Sequence, residues 1–190
     1  MIPVIWNDKL KSDYRRLWDA AKIRPERVAE TKRRADMIVT NKARYEKISK
    51  TTGVPWWFIG LIHNMEGGLR FDRHLHNGDP LKARTVHVPA GRPVAGNPPF
   101  DFETSAYDAL ALRKLNLNKD WSLEHCLYLL EGFNGYGYRQ YHPTVPSPYL
   151  WSFTTVYTRG KYVADGKWDS NTVSLQIGIA ALMKAMQVFP

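Results

Sequence analysis

Glu66, Asp79 and Thr85 are the residues of this chain whose types and spacing point most directly to chemistry. Glu66 ends a run of large apolar side chains (Trp56, Trp57, Phe58, Ile59, Leu61 and Ile62), and Gly67-Gly68 follows at once. Gly53 suits a preceding helix stop, Pro55 a first helical position and a glycine pair a helix exit, so the run predicts a buried helix with a carboxylate in its last turn. The negative end of a helix and an apolar flank both disfavour ionisation, so Glu66 is expected to hold its proton at higher pH than an ordinary glutamate. A carboxylic acid of that kind is what a general acid requires. Asp79 lies thirteen residues beyond Glu66, and Thr85 six beyond Asp79. One buried and one solvated carboxylate facing each other across a cleft is the arrangement of glycoside hydrolysis, and Asp72 is the rival to Asp79 for the second place.

The chain after Gly68 supplies the elements that must hold the second carboxylate. Residues 69–76, LRFDRHLH, alternate apolar and polar, and Asn77-Gly78, a strong hairpin signal, follows directly. Thr85-Val86-His87-Val88 reads as a further short strand. The expectation is a buried helix ending in an acid and feeding a small β element. Residues 89–100, PAGRPVAGNPPF, are too rich in Pro and Gly for regular structure and form a loop placed to make one rim of a cleft.

A Glu at a helix end, a small β element, then an Asp followed six residues later by a Thr resemble the lysozyme superfamily. The similarity is greatest to phage endolysins of Gram-negative hosts with a Glu-Asp-Thr constellation, and extends to goose-type lysozymes and lytic transglycosylases. In the phage-type enzymes the Glu-to-Asp spacing is shorter than in this chain, which leaves room here for a longer first strand. Residues 131–139, EGFNGYGYR, resemble the Asn-Gly-rich turn that lines the sugar cleft of the goose-type and transglycosylase enzymes. The resemblance covers the chain from about Pro55 onwards.

That resemblance implies an α+β, mostly helical, lysozyme-like fold with a small β-hairpin lobe beside the active-site cleft. A single domain of residues 1–190 is expected, with 1–52 as helical support and 53–190 as catalytic core. The implied activity is cleavage of the β-1,4 MurNAc-GlcNAc bond of peptidoglycan. Glu66 would protonate the glycosidic oxygen, Asp79 would hold or deprotonate the attacking water, and Thr85 would help to place it. The substrate-binding set expected with them is His63, Asp72, Phe133, Asn134, Tyr136, Tyr138 and Tyr141. A lytic transglycosylase using Glu66 alone is the alternative within the class. A non-catalytic glycan-binding module or a phage structural protein is the alternative outside it. No cofactor or metal is implied, and the expected partner is the glycan strand, met by a monomer.

Composition bounds these readings. The chain has 190 residues, 44% of them apolar, enough for one sizeable core. No apolar run is long enough to span a membrane, and the first residues lack the layout of a signal peptide. The expectation is synthesis in a host cytoplasm and action at the cell wall after release with another protein's help. A formal charge of +9 suits an anionic envelope. Nucleic acid is the weakest partner, because the basic residues between Lys9 and Lys50 fall at helical spacing among acids and without interleaved aromatics. The single Cys126 sits among Leu123, Leu127 and Leu130 as a buried, inert thiol and excludes an internal disulfide. His74 and His76 share one face of the presumed strand, as polar residues beside a cleft rather than as metal ligands.

The remaining elements read as helices. Leu10, Tyr14, Leu17 and Ala21 make one stripe. A long helix opening at Pro25 would bury Val28, Ala35, Ile38, Tyr45 and Ile48, with a break at Thr40-Asn41. Asp101 and Ser122 cap two more, Ser147-Pro148 opens one over residues 149–157, and a last one buries Leu175, Ile179, Leu182, Met183 and Met186. Residues 161–169, centred on Asp165-Gly166, are expected as a hairpin or tight loop flanked by Tyr162 and Trp168. The glycines of 131–139 admit close approach by a ligand, and the tyrosines offer flat faces with polar tips, as sugar rings require.

Overall fold

The computed structural model describes residues 4–164 and 166–189. It is mostly helical with one small antiparallel sheet, as an α+β chain of this composition should be. Two compact units are formed, one by Met1–Ala35 with Asp120–Pro190 and the other by Asp36–Lys119.

The Asp36–Lys119 unit holds the end of α2 (Val28–Thr40), then α3 (Lys42–Thr52), α4 (Trp56–Gly67) and α5 (Phe102–Leu112). The break expected at Thr40-Asn41 is present, with Asn41 outside both helices. Ala35, Ile38, Tyr45 and Ile48 are buried as the helical stripe requires, whereas Val28, expected with them, is exposed. α4 packs on α3, and α3 on α5. Gly60 lets α4 come this close, since a Cβ there would lie 3.1 Å from the Tyr45 ring and closer still to Ile38. Asp101 caps α5, its carboxylate accepting from the Thr104 N–H at 2.6 Å.

The strands expected at residues 69–76 and 85–88 do not form. Between α4 and α5 the chain makes turns and loops, with one isolated bridge, Arg73 to Pro80. The reversal at Asn77-Gly78 is real: His74 N–H donates to Asp79 O and Gly78 N–H to His74 O. What breaks the alternation is burial. His74, Leu75 and His76 are all buried in succession, because α5 supplies polar partners for both rings. Ser105 Oγ lies 2.9 Å from His74 Nδ1, and Asp108 Oδ1 lies 2.7 Å from His76 Nε2. His74 Nε2 donates to Ala83 O. Both rings are thus occupied by structural bonds.

The other unit contains α1 (Asp8–Ala20), α6 (Leu123–Asn134), α7 (Gly137–Tyr141), α8 (Pro148–Trp151), the hairpin β1 (Lys161–Ala164) and β2 (Lys167–Asp169), and α9 (Ile179–Met186). α1 packs on α6, α6 on α8 and α8 on α9. The expected hairpin at 161–169 is present, with Lys161 opposite Asp169 and Tyr162 opposite Trp168; Asp165 of its turn lies outside the described residues. Cys126 is buried, and burial pushes its thiol up to about 12.

The helix expected over 149–157 stops at Trp151. Phe153 takes a positive φ, and the β-branched residues after it pair with an extended segment: Arg24 N–H donates to Phe153 O and Thr155 N–H to Lys22 O. The last helix likewise starts only at Ile179, leaving Leu175 exposed. Extended Gly178 sits where a Cβ would strike the backbone of Leu150 and Ser152.

Candidate active site

α4 is apolar because it is a core helix. From Phe58 to Gly67 every residue is buried except Glu66, which is half-exposed in the last turn. Gly68 then adopts the left-handed conformation and its N–H returns to His63 O, ending the helix. Leu69 is left-handed too, so the chain turns sharply away directly after Glu66. The Asn77-Gly78 turn folds back onto this helix end. Gly78, at φ 78, lies so close that a Cβ would collide with the Glu66 carbonyl oxygen. Asp79 is therefore the next residue along from the one that touches the Glu66 backbone.

Asp79 is 7% exposed and heavily engaged. Oδ2 accepts from Val86 N–H at 2.8 Å, His87 N–H at 3.0 Å and Asn77 Nδ2 at 3.2 Å, while Oδ1 lies 2.6 Å from His87 Nδ1. Burial alone would raise this carboxyl, but the hydrogen bonds from the His87 ring and from the His87 and Val86 backbone outweigh it and hold the pKa at about 2. Thr85, also expected at the site, is buried in the same loop. Its hydroxyl donates to Pro89 O and accepts from Arg92 N–H at 2.9 Å. Asp79 and Thr85 thus close the two sides of one loop.

A pH dependence follows from Asp79. Its folded pKa lies below the unfolded value of about 3.9, so its contribution is complete above that value and is lost as pH falls towards about 2. Acid unfolding of Asp79→Asn should lack this component. A parent-minus-variant stability difference that does not shrink between about pH 4 and pH 2 would contradict the assignment.

The other expected residues of this unit fall into different places. His63 is fully buried, with Tyr45 Oη 2.9 Å from Nδ1 and the Phe71 and Phe102 rings at 4.6 and 4.4 Å, so it braces α4 from inside rather than facing a ligand. Asp72 is exposed and held by Arg70 through two hydrogen bonds, at 3.1 and 2.7 Å; that bond lowers its pKa. It lines a cavity of about 450 Å³ with Arg44, Phe71, Leu81, Phe100 and Phe102, and Glu66 is not part of that lining. His87 joins Asp79 here although nothing local in the sequence pairs two residues eight positions apart in a loop.

In the other unit, Asn134, Tyr136, Tyr138 and Tyr141 come together on one groove of about 620 Å³, joined by Tyr149 and Tyr162. Their roles differ. Tyr141 is exposed, and Asn134 is exposed at the end of α6. Tyr136 is stacked on Tyr128 and donates its hydroxyl to Tyr128 O at 3.0 Å. Tyr138, expected to offer a face, is buried edge-on to Tyr162 and Trp168, and its hydroxyl accepts from Tyr162 N–H at 3.2 Å. Phe133 is half-buried and not among the groove residues. Trp168 stacks on His142 at 3.5 Å and so staples the hairpin down.

Among the described residues, no group of three or more His, Cys, Asp or Glu side chains is placed to hold a metal ion, and no helix is long and apolar enough to cross a membrane. No protein-family model, no curated protein and no solved structure matches this chain.

Proposed function

We propose that this protein is a peptidoglycan-cleaving glycosidase of lysozyme type, with Glu66 as the proton donor to the glycosidic oxygen. The observation that carries the reading is the place of Glu66: the one half-exposed residue on the buried stretch of α4, on a helix end braced by the Asn77-Gly78 turn. A carboxyl so placed combines an apolar backing with access to a ligand, and its geometry is set by a core helix rather than a loop. The test is digestion of purified peptidoglycan followed by mass spectrometry of the products. Muropeptides with reducing ends are expected, and an undigested sacculus would refute the reading.

The transglycosylase alternative has an observation of its own in its favour. Asp79, the expected second carboxylate, has both oxygens occupied within its loop, and a transglycosylase needs only the one acid. Anhydro-sugar ends in the same digest would select it.

The tyrosine groove is assigned to glycan binding, with Tyr141 as stacking face and Asn134 as the amide that meets an acetamido group. Gly135, not Asn134, is the C-cap residue of α6. Asn134→Ala should therefore weaken chitooligosaccharide binding in a calorimetric titration and leave the melting temperature unchanged. A lowered melting point with unaltered affinity would assign Asn134 to the helix instead.

A further inference from the structure

We infer that His87 is the general base of the Glu66 site, and that Asp79 acts through it as a positioning residue rather than facing substrate itself. This rests on the reading of Glu66 as the acid. His87 sits on the loop that Asp79 closes, and its backbone carbonyl accepts from Asn77 Nδ2 at 2.9 Å. Residues 77 to 79 are the turn folded against the Glu66 backbone, so the ring is tied to the exit of α4.

The proton inventory assigns the ring its orientation. Oδ1 of ionised Asp79 can only accept, so His87 Nδ1 carries the hydrogen between them, and the lone pair of the neutral ring lies on Nε2. The His87 side chain is 79% exposed against 9% for that of Asp79, and among the described residues Nε2 makes no hydrogen bond. A buried carboxylate that fixes the tautomer of a histidine and presents its other nitrogen to solvent is a way to build a base, and it stabilises the imidazolium that forms. A loop staple needs only the two backbone N–H bonds that Asp79 already takes.

The step balances without a further reagent. His87 Nε2 removes a proton from water while the water oxygen bonds to the anomeric carbon. The glycosidic C–O bond breaks, its electron pair goes to the leaving oxygen, and that oxygen takes the proton of Glu66. Imidazolium and carboxylate remain, and proton exchange with solvent resets both. The product is a reducing sugar of inverted configuration.

The experiment compares peptidoglycan hydrolysis by the parent protein with His87→Ala, Asp79→Asn and the double variant, with and without added imidazole. His87→Ala should lower kcat by about 10²-fold with little change in KM, and imidazole, entering the space beside Asp79, should restore much of it. In Asp79→Asn the amide oxygen keeps the two backbone donors and its NH2 turns to Nδ1. The ring then carries its hydrogen on Nε2, so a similar loss is expected that imidazole does not relieve. The double variant should be no worse than either single one, since the two act as a unit. Circular dichroism melts establish that each variant is folded. A His87→Ala rate within about threefold of the parent would overturn the proposal, as would a loss that imidazole leaves untouched in a folded variant. If Glu66→Gln is inactive while His87→Ala is not, only the base assignment fails. If both retain activity, the reading of Glu66 fails with it.

Discussion

Glu66→Gln is expected to yield a folded protein that clears outer-membrane-permeabilised Gram-negative cells at least about 10²-fold more slowly than the parent chain, the usual scale of general acid catalysis. Gln preserves the shape and keeps an acceptor oxygen, but has no proton to transfer to a leaving group. Because Glu66 is half-exposed while its neighbours from Phe58 to Met65 make the core, the substitution leaves the packing of α4 intact. The melting temperature should therefore stay within about 2–4 °C of the parent, the shift expected for roughly 1 kcal/mol in a chain of this size. Turbidity loss and thermal melting on the same preparation separate the two effects. Clearance at the parent rate would remove Glu66 from the chemistry, and with it the glycosidase reading.

The largest expected effect on stability lies in the other unit. Glu131, 1% exposed on the last turns of α6, accepts from Tyr14 Oη at 2.6 Å and Arg139 Nε at 2.8 Å, and Arg139 also donates to Asp13 at 2.8 Å while lying over the Tyr14 ring. The two partners respond differently. Burial dominates at Glu131 and raises its carboxyl pKa, with Arg139 offsetting only part of this. At Arg139 burial is the largest single influence and pulls the other way, but the charges of Glu131 and Tyr14 and the hydrogen bonds to Asp13 and Glu131 together outweigh it and hold the guanidinium protonated. Arg139→Met keeps most of the stem and strands the carboxylate, so the unit should lose about 3–5 kcal/mol in urea unfolding at neutral pH.

The pH dependence of that loss identifies its cause. A folded carboxyl with a raised pKa binds its proton more readily than the unfolded chain does. Stability is thus fully present below the unfolded value of about 4.3 and is lost as pH rises through the folded pKa. Without Arg139 that window extends upwards, so the variant's deficit should be smallest near pH 4 and grow towards neutrality. A deficit independent of pH would mean that lost packing over Tyr14, not a stranded charge, is responsible.

Several features were legible in the residues because their causes are local. Pro55, an unbroken apolar run and Gly67-Gly68 set the length of α4 and put Glu66 in its last turn. Asp101 three residues before Thr104 makes a cap wherever the chain goes afterwards, and Asn77-Gly78 turns whether or not strands flank it. The period-two pattern of residues 69–76 misleads for the opposite reason. It assumes that a polar side chain faces solvent, but Ser105 and Asp108, about thirty residues on, supply hydrogen bonds that allow His74 and His76 inside.

An acid at the end of a buried helix, a turn beyond it, a mostly helical chain and a tyrosine-rich segment after α6 all follow from local sequence. Each depends on neighbours within a few positions, where propensity, capping and periodicity act. Long-range packing selects which polar groups are consumed inside the protein and which stay exposed. Asp79 turned inward because loop closure brought two backbone N–H groups and a histidine to it, and the same closure left His87 Nε2 facing out. Tyr138 lost its face to Tyr162 and Trp168 of a hairpin more than twenty residues away, while Tyr141 kept one. A carboxylate or a phenol has the same composition in either state; the donors and rings that surround it come from distant segments, and local sequence carries no record of them.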